Sequence, residues 1–439
     1  MTRTWSLRQN FHAQGMIPVV QESDGQYRDV GREHPMPTSL GGNQLDAFSR
    51  LRVSNPVTLF ASQAQYDDGT TDDYFHKTTT GGSTTHLPDQ SSVRMSTDTT
   101  AGASVIRQTQ RYMRYQPGKS QVVFVTFDFE AAEGGTKRAG YFDAENGVFV
   151  ELAADGTVYI VNRTNGTGTP SDAKKVAQAD WNVDAMDGTG VSGVTLDMTK
   201  AQILVIDLQW LATGRIRVGF DIDGILYTAH QFTWSNANSG VYMTTANLPV
   251  RYELTGNANA TQMQAICASV QSEGGFTADL GHEHITPNIT GTSCPTGADT
   301  PIVSIRPKAL FNSITNRGTY IPNAIEIYTT TEPVQIKLWH GGTLTSPTWV
   351  SSDAESGVEY DVSATAITGG HLTGGTYGIA GGVGQTATVS SGVAETLNRI
   401  FLTLDIDGNN IDAGNYTITG RGIGGTSVVY CNIVWVEIK

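Results

Sequence analysis

The sequence is poor in charge, and poorest in positive charge: 16% of its 439 residues are charged, with 28 Lys and Arg against 42 Asp and Glu. A formal net charge of −14 repels a polyanion on average, which argues against a dedicated nucleic-acid binder and disfavours an anionic membrane surface or an anionic glycan. The same shortage of Glu, Lys and Arg argues against long solvated helices. Cysteine is scarce: Cys267, Cys294 and Cys431 are widely spaced, so neither a disulfide framework nor a Cys-x-x-Cys metal site is signalled, and reduced, buried thiols are expected. No stretch approaches the ~20 apolar residues of a membrane-spanning helix. The opening Met-Thr-Arg-Thr-Trp leads into no apolar run, so synthesis in the cytoplasm with no membrane partner is expected.

What is abundant is glycine, at 49 positions, together with uncharged Thr, Ser, Asn and Gln, the balance of turn-rich β structure. Residues 1–60 show no sustained period of 2 or 3.6 and carry Pro18, Pro35, Pro37 and Pro56, which reads as an extended docking arm. From about residue 120 strands are dense. In the segment 121–130, Phe127 and Phe129 alternate with Asp128 and Glu130; 147–152 and 157–161 flank the turn pair Asp155-Gly156; and 202–210, 215–220 and 224–230 form a meander. With 250–254 and 263–270 the block 61–280 has enough strands for two packed sheets, a jelly-roll or concanavalin-like β-sandwich. Residues 281–299 turn to Gly, Thr, Pro and Asn and read as a linker. Residues 300–439 read as a second, smaller β-sandwich with strands at 324–328, 334–339, 400–405 and 427–438, and with a long loop or weak edge hairpin over 369–392. The fold expected is all-β.

Motifs that carry chemistry are mostly incomplete. Gln116-Pro-Gly-Lys-Ser120 ends like a phosphate-binding loop, but Met113 stands where the required Gly would be and no helix follows; a hairpin into the next strand is expected. The repeated Asp-Ile-Asp-Gly pairs, Asp221/Asp223 and Asp405/Asp407, place oxygens at alternate positions as calcium loops do, yet lack the downstream bidentate Glu and suit ordinary hairpin turns. His282 and His284 share one face of an extended segment at a workable metal-ligand spacing, without a third ligand nearby. No cofactor is expected. There is no Gly-x-Ser-x-Gly elbow and no His-Glu-x-x-His, and among 42 carboxylates some pair at glycosidase spacing is expected by coincidence, so catalysis has no positive signal. Arg107, Arg111, Tyr112, Arg114 and Tyr115 interleave arginine with tyrosine, the residue types favoured in protein interfaces, and are the interface candidates.

Several segments carry a resemblance. Asp46-Ala-Phe-Ser-Arg-Leu-Arg-Val-Ser-Asn-Pro-Val-Thr-Leu-Phe60, Arg107-Gln-Thr-Gln-Arg-Tyr112, Tyr115-Gln-Pro-Gly-Lys-Ser120, Gly140-Tyr-Phe-Asp-Ala-Glu-Asn-Gly-Val-Phe149, the stretch from Trp181 to Gly193, Trp210-Leu211, Leu248-Pro-Val-Arg-Tyr252 and Ser272-Glu-Gly-Gly275 are similar, in this order, to segments of virion structural proteins of tailed bacteriophages. The resemblance covers about residues 40–280. It implies a non-enzymatic structural component on the exterior of the particle (tail, baseplate, fibre or capsid decoration), made in the host bacterial cytoplasm. The implied partners are other virion structural proteins and further copies of the chain, a trimer being favoured. The alternative is a tail protein that binds a host surface glycan, its seven Trp and sixteen Tyr supplying stacking faces for sugar rings, and that depolymerises it.

Overall fold

Apolar residues at every second position place a strand's side chains on one face, and two such faces bury each other. That is how this chain builds its interior. A computed structural model describes residues 5–9, 16–21, 27–29, 46, 56–71, 73–131, 134–277, 281–378, 385–388 and 402–439. Its elements are β-strands and a few single-turn 3-10 helices. No described helix is long and apolar enough to cross a membrane. The chain forms two compact units, Met1–Val53 and Ser54–Lys439.

The first unit contains a three-stranded antiparallel sheet, β1 (Trp5–Gln9), β2 (Met16–Gln21) and β3 (Tyr27–Asp29), within the stretch expected as an extended arm. Strands of three to six residues are too short to leave a sustained period in the sequence. Of the segment 46–60, residues 47–55 lie outside the described residues.

The second unit holds two sandwiches. One sheet of the first runs in the order β13 (Ser171–Ala177), β12 (Val158–Thr164), β11 (Gly147–Leu152), β10 (Gly135–Phe142), β17 (Val250–Gly256), β8 (Ser104–Thr109), β5 (Tyr74–Thr78). The facing sheet runs β16 (Ile225–Phe232), β15 (Ile216–Ile222), β14 (Ala201–Leu208), β9 (Ser120–Asp128), β18 (Thr261–Glu273), β7 (Ser92–Thr97), β6 (Gly82–Leu87), with β4 (Val57–Gln63) paired to the C-terminal half of β18. Strand β4 therefore takes residues 57–60 out of the expected arm and into the sandwich. Tyr141, Val148, Val150 and Leu254 from the first sheet meet Val125, Phe127, Leu204 and Val218 from the second in one core. Phe127 and Phe129 stack there with ring centroids 4.2 Å apart; burying each such ring is worth roughly 1.5–3 kcal/mol. Asp155-Gly156 makes the tight turn between β11 and β12: Gly156 has φ +85°, and the Asp155 carboxylate accepts the Thr157 N–H at 2.9 Å. The first sandwich is thus two antiparallel sheets of seven and eight strands face to face, and the described residues are all-β.

In the second sandwich, a five-stranded sheet of β19 (His282–Ile285), β33 (Ser427–Ile438), β24 (Thr319–Thr329) and β31 (Gln385–Thr388), with β20 (Thr292–Cys294) also on β33, packs on a six-stranded sheet. The latter runs β27 (Val350–Ser351), β28 (Val358–Asp361), β21 (Thr300–Pro307), β32 (Tyr416–Gly422), β25 (Val334–His340), β30 (His371–Gly378). Two small hairpins, β22 (Leu310–Phe311) with β23 (Ile314–Thr315) and β26 (Thr343–Thr345) with β29 (Ala366–Thr368), complete it. Residues 281–299, read from sequence as a linker, supply β19 and β20. The Gly-rich run 369–392 supplies the edge strand β30 and the short β31; the rest of it lies outside the described residues. The strand expected at 400–405 is corrected. Residues 400–401 are not described, and 402–405 form no strand, only a bridge from Leu404 to Asn410. Leu402 and Leu404 alternate because they are buried, at 4% and 2% exposure, not because a sheet holds them.

Candidate functional site

The outer face of the seven-stranded sheet is built by strand register. Arg138 lies opposite both Glu151 and Glu253, Gly140 opposite Phe149 and Arg251, and Gly147 opposite Phe142 and Arg163. Phe142 and Phe149 are fully buried as a small cluster of their own, 4.3 Å apart. They lie beneath the guanidinium groups of Arg163 (5.0 Å from the Phe149 ring) and Arg251 (5.5 Å from the Phe142 ring). Above them runs a chain of ion pairs: Arg138 to Glu151 and to Glu253 at 2.6 Å each, Arg251 to Glu253 at 2.7 Å, Arg163 to Asp172 at 2.8 Å, and Lys175 to Glu151. Burial raises the Glu253 pKa, but Arg251 and Arg138 beside it outweigh that and hold it below its ordinary value. A carboxyl held ionised accepts hydrogen bonds and has no proton to donate. Glu253 is therefore not poised as the proton donor that acid catalysis of glycoside hydrolysis uses.

The interface candidates are divided by the fold. Arg107, on β8, is buried within the first sandwich, its guanidinium 3.7 Å from the Tyr74 ring and bonded to His76 Nε2 and to the Asp68 carbonyl. Burial and the neighbouring Arg107 depress the His76 pKa to about 4. Tyr115 is also interior, edge-on to Trp210 at 5.8 Å, with its N–H donated to Asn247 at 2.8 Å. Arg111, Tyr112 and Arg114 instead reach the junction with the second sandwich. There the Arg317 guanidinium stacks 4.3 Å from the Tyr112 ring, Thr403 donates to the Gln110 carbonyl at 2.8 Å, and Lys77 pairs with Asp407 at 2.6 Å.

Two cavities lie along this junction. One, of about 250 Å³, is lined chiefly by apolar side chains, with Arg111 and Arg114 among them. The other, of about 560 Å³, has Asp143, Asn247, Asn312, Arg317 and Lys439 around Tyr112, in a wall that also includes Phe311, Ile314 and Ile406. Sequence reasoning found the Tyr112 side of the junction but missed Arg317, which carries no local signal. It also missed the ion-pair lattice, whose signal is charges at i and i+2 inside apolar strands, as in Val250-Arg-Tyr-Glu-Leu254.

The candidate metal ligands are not brought together. His284 stacks on Trp435 at 6.0 Å and its Nδ1 lies 3.1 Å from Asp353, while His282 is exposed. Asp221 accepts the Gly224 N–H at 3.0 Å, with Asp223 at φ +54°, and Asp405 accepts the Asn409 N–H at 2.7 Å. Both Asp-Ile-Asp-Gly pairs thus make turns, and Asp407 is held by Lys77. Among the described residues no group of three or more His, Cys, Asp or Glu is arranged to hold a metal ion. Gln116-Pro-Gly-Lys119 is a turn into β9, closed by the Lys119 N–H on the Gln116 carbonyl at 3.0 Å. Cys294 and Cys431 are buried free thiols, and Cys267 is half-buried.

The chain matches no protein-family model and no curated protein sequence. Among solved structures it is similar to a Bacillus licheniformis β-glucanase, with a TM-score of 0.32 and 11% identity over 49% of this chain and 97% of that one. It is also similar to a legume lectin-like domain from Entamoeba histolytica, with a TM-score of 0.31 and 10% identity over 49% and 98%. A third is the CBM2 module of the evolved Dit of Lactobacillus casei BL23 phage J-1, with a TM-score of 0.33 and 7% identity over 51% and 99%. Likeness at this level brings neither a ligand nor a reaction to this chain.

Proposed function

We propose that this chain is a non-enzymatic structural component of a tailed-bacteriophage particle, an exterior appendage that works by docking to other virion proteins and by self-association. What supports this is the use the fold makes of the segments similar to phage virion proteins. In the Gly140–Phe149 segment, Tyr141 is core, Phe142 and Phe149 are the buried pair of the outer face, and a Cβ on Gly140 would meet the Val148 carbonyl oxygen at 2.5 Å. In the Trp181–Gly193 segment, the Asp184 carboxylate accepts the N–H groups of Met186 at 2.8 Å and Ser192 at 2.7 Å, which ties the loop to itself, and Trp181 packs on the core. Tyr252, in the Leu248–Tyr252 segment, is core as well. Shared residues of this kind favour a shared scaffold over a shared reaction. Mass spectrometry of gradient-purified particles tests the reading: the chain is expected among the stoichiometric virion proteins, and its absence from particles would overturn it. Light scattering on the purified chain tests self-association, for which a trimer is expected and a stable monomer at micromolar concentration counts against a fibre.

A second reading, binding of a host surface glycan, is favoured by the 560 Å³ junction cavity, where carboxylate and amide side chains surround an aromatic ring. Incubation with host cells and their envelope polysaccharide tests it: retention on cells or release of oligosaccharide supports it, and neither result leaves the docking reading alone.

A further inference from the structure

Arg114 follows β8 on the way to β9 and lines the 250 Å³ cavity at the sandwich junction. Its Nη1 is buried and has no hydrogen-bond partner among the described residues. Burial lowers its pKa, and no carboxylate stands among the described residues of the cavity wall. A desolvated guanidinium nitrogen without an acceptor is costly to keep. Around it the cavity is apolar, with Leu59, Met113, Phe276, Leu402 and Leu404 in its wall. The wall also includes Val57, Thr58 and Leu59 in succession. The ladder between β4 and β18 shifts register at Leu59, which has no partner on β18 and leans on the core. Strand β4 bonds β18 along one side, and no described strand lines the other.

We propose that this cavity is a docking slot for an extended segment of a partner protein in which an Asp or Glu stands among apolar residues: the segment adds to the free edge of β4, and its carboxylate pairs with Arg114. Strand addition supplies main-chain hydrogen bonds, alternate side chains enter the apolar wall, and the forked guanidinium matches a carboxylate. Charge points to the same occupant. The chain carries −14 overall, yet this slot presents Arg114 and has no carboxylate among the described residues that line it, so an acidic segment is drawn to the slot and repelled elsewhere. The inference deepens the docking reading; its test uses the isolated chain, so the slot and the particle role fail separately.

The test is calorimetric titration of the full chain with two capped seven-residue peptides that alternate valine and threonine around a central aspartate or a central asparagine. Saturable binding of one aspartate peptide per chain is expected, with the asparagine peptide weaker by about tenfold or more. Arg114→Met is expected to abolish that preference and, because it removes an unpartnered cation, to leave Tm unchanged or raise it. Equal affinities for the two peptides, or no saturable binding of either at millimolar concentration, overturns the proposal. So does a fall in Tm of more than about 4 °C in Arg114→Met, which would mark Arg114 as structurally paired. Sodium octanoate serves as the alternative occupant: saturation by octanoate without binding of the aspartate peptide would make the slot an acyl-carboxylate site and refute the strand.

Discussion

Replacing Glu253 by Gln removes one charge from the middle of the lattice on the outer face and leaves the shape of the side chain intact. The carboxylate holds Arg138 at 2.6 Å and Arg251 at 2.7 Å, and its side chain is 12% exposed, so solvent screens the pairs little. Removing one member of a buried ion pair costs about 3–5 kcal/mol. Here the lower end applies, because Arg138 keeps Glu151 at 2.6 Å and Arg251 keeps the Gln108 amide oxygen at 3.2 Å. About 3 kcal/mol in a sandwich of roughly 200 residues lowers Tm by about 6–12 °C. The pH dependence has a definite sign. The folded pKa of Glu253 lies below its ordinary 4.5, so its contribution is fully present above that value and is lost as pH falls through the folded pKa. Thermal melts of the wild type and Glu253→Gln from pH 8 to pH 3 should show a constant gap at neutral pH that closes only in acid. A gap under about 1 °C at pH 7, or one that widens on acidification, would refute the account of the lattice.

His76 is half-buried, with a pKa depressed from 6.5 to about 4, so the unfolded chain binds its proton first. Stability should be complete above pH 6.5 and fall by up to about 3 kcal/mol as pH drops toward 4, and His76→Gln should flatten that limb in pH-resolved urea melts. In thiol labelling with a chromogenic disulfide, the half-buried Cys267 should react first in the native protein, while Cys294, pushed up to about 11 by burial, and Cys431 should react only after denaturation. Gly140→Ala places a Cβ 2.5 Å from the Val148 carbonyl oxygen and 2.6 Å from Phe149 Cα, and should cost about 1–3 kcal/mol, read as a lower urea midpoint with an unchanged m-value.

Where a strand carries its own apolar rhythm, its place was legible from sequence. Gly147–Leu152 and Ser427–Ile438 begin and end where alternation and flanking turns put them. The strands Tyr74–Thr78, Gly82–Leu87 and Ser171–Ala177 were not legible, because Thr, Ser, His and Lys fill positions that face solvent at sheet edges or carry hydrogen bonds. At 402–405 the error runs the other way: alternation there reports burial at a junction between sandwiches, which no local pattern distinguishes from burial in a sheet. The candidate site was half legible. Tyr112 and its arginines stood out by composition, but Arg317 lies about 200 residues downstream and meets Tyr112 only through the packing of the two sandwiches. The ion-pair lattice needs three strands in register before Arg138 has its two glutamates, and register is a property of the sheet rather than of any one segment.

The central claim, that the chain builds a virus particle rather than transforms a substrate, meets its most direct test in electron microscopy of intact particles labelled with gold-conjugated antibody against residues 54–439. The account predicts label at one fixed position on the exterior of every particle. Unlabelled particles, together with release of oligosaccharide from host envelope by the free protein, would contradict it.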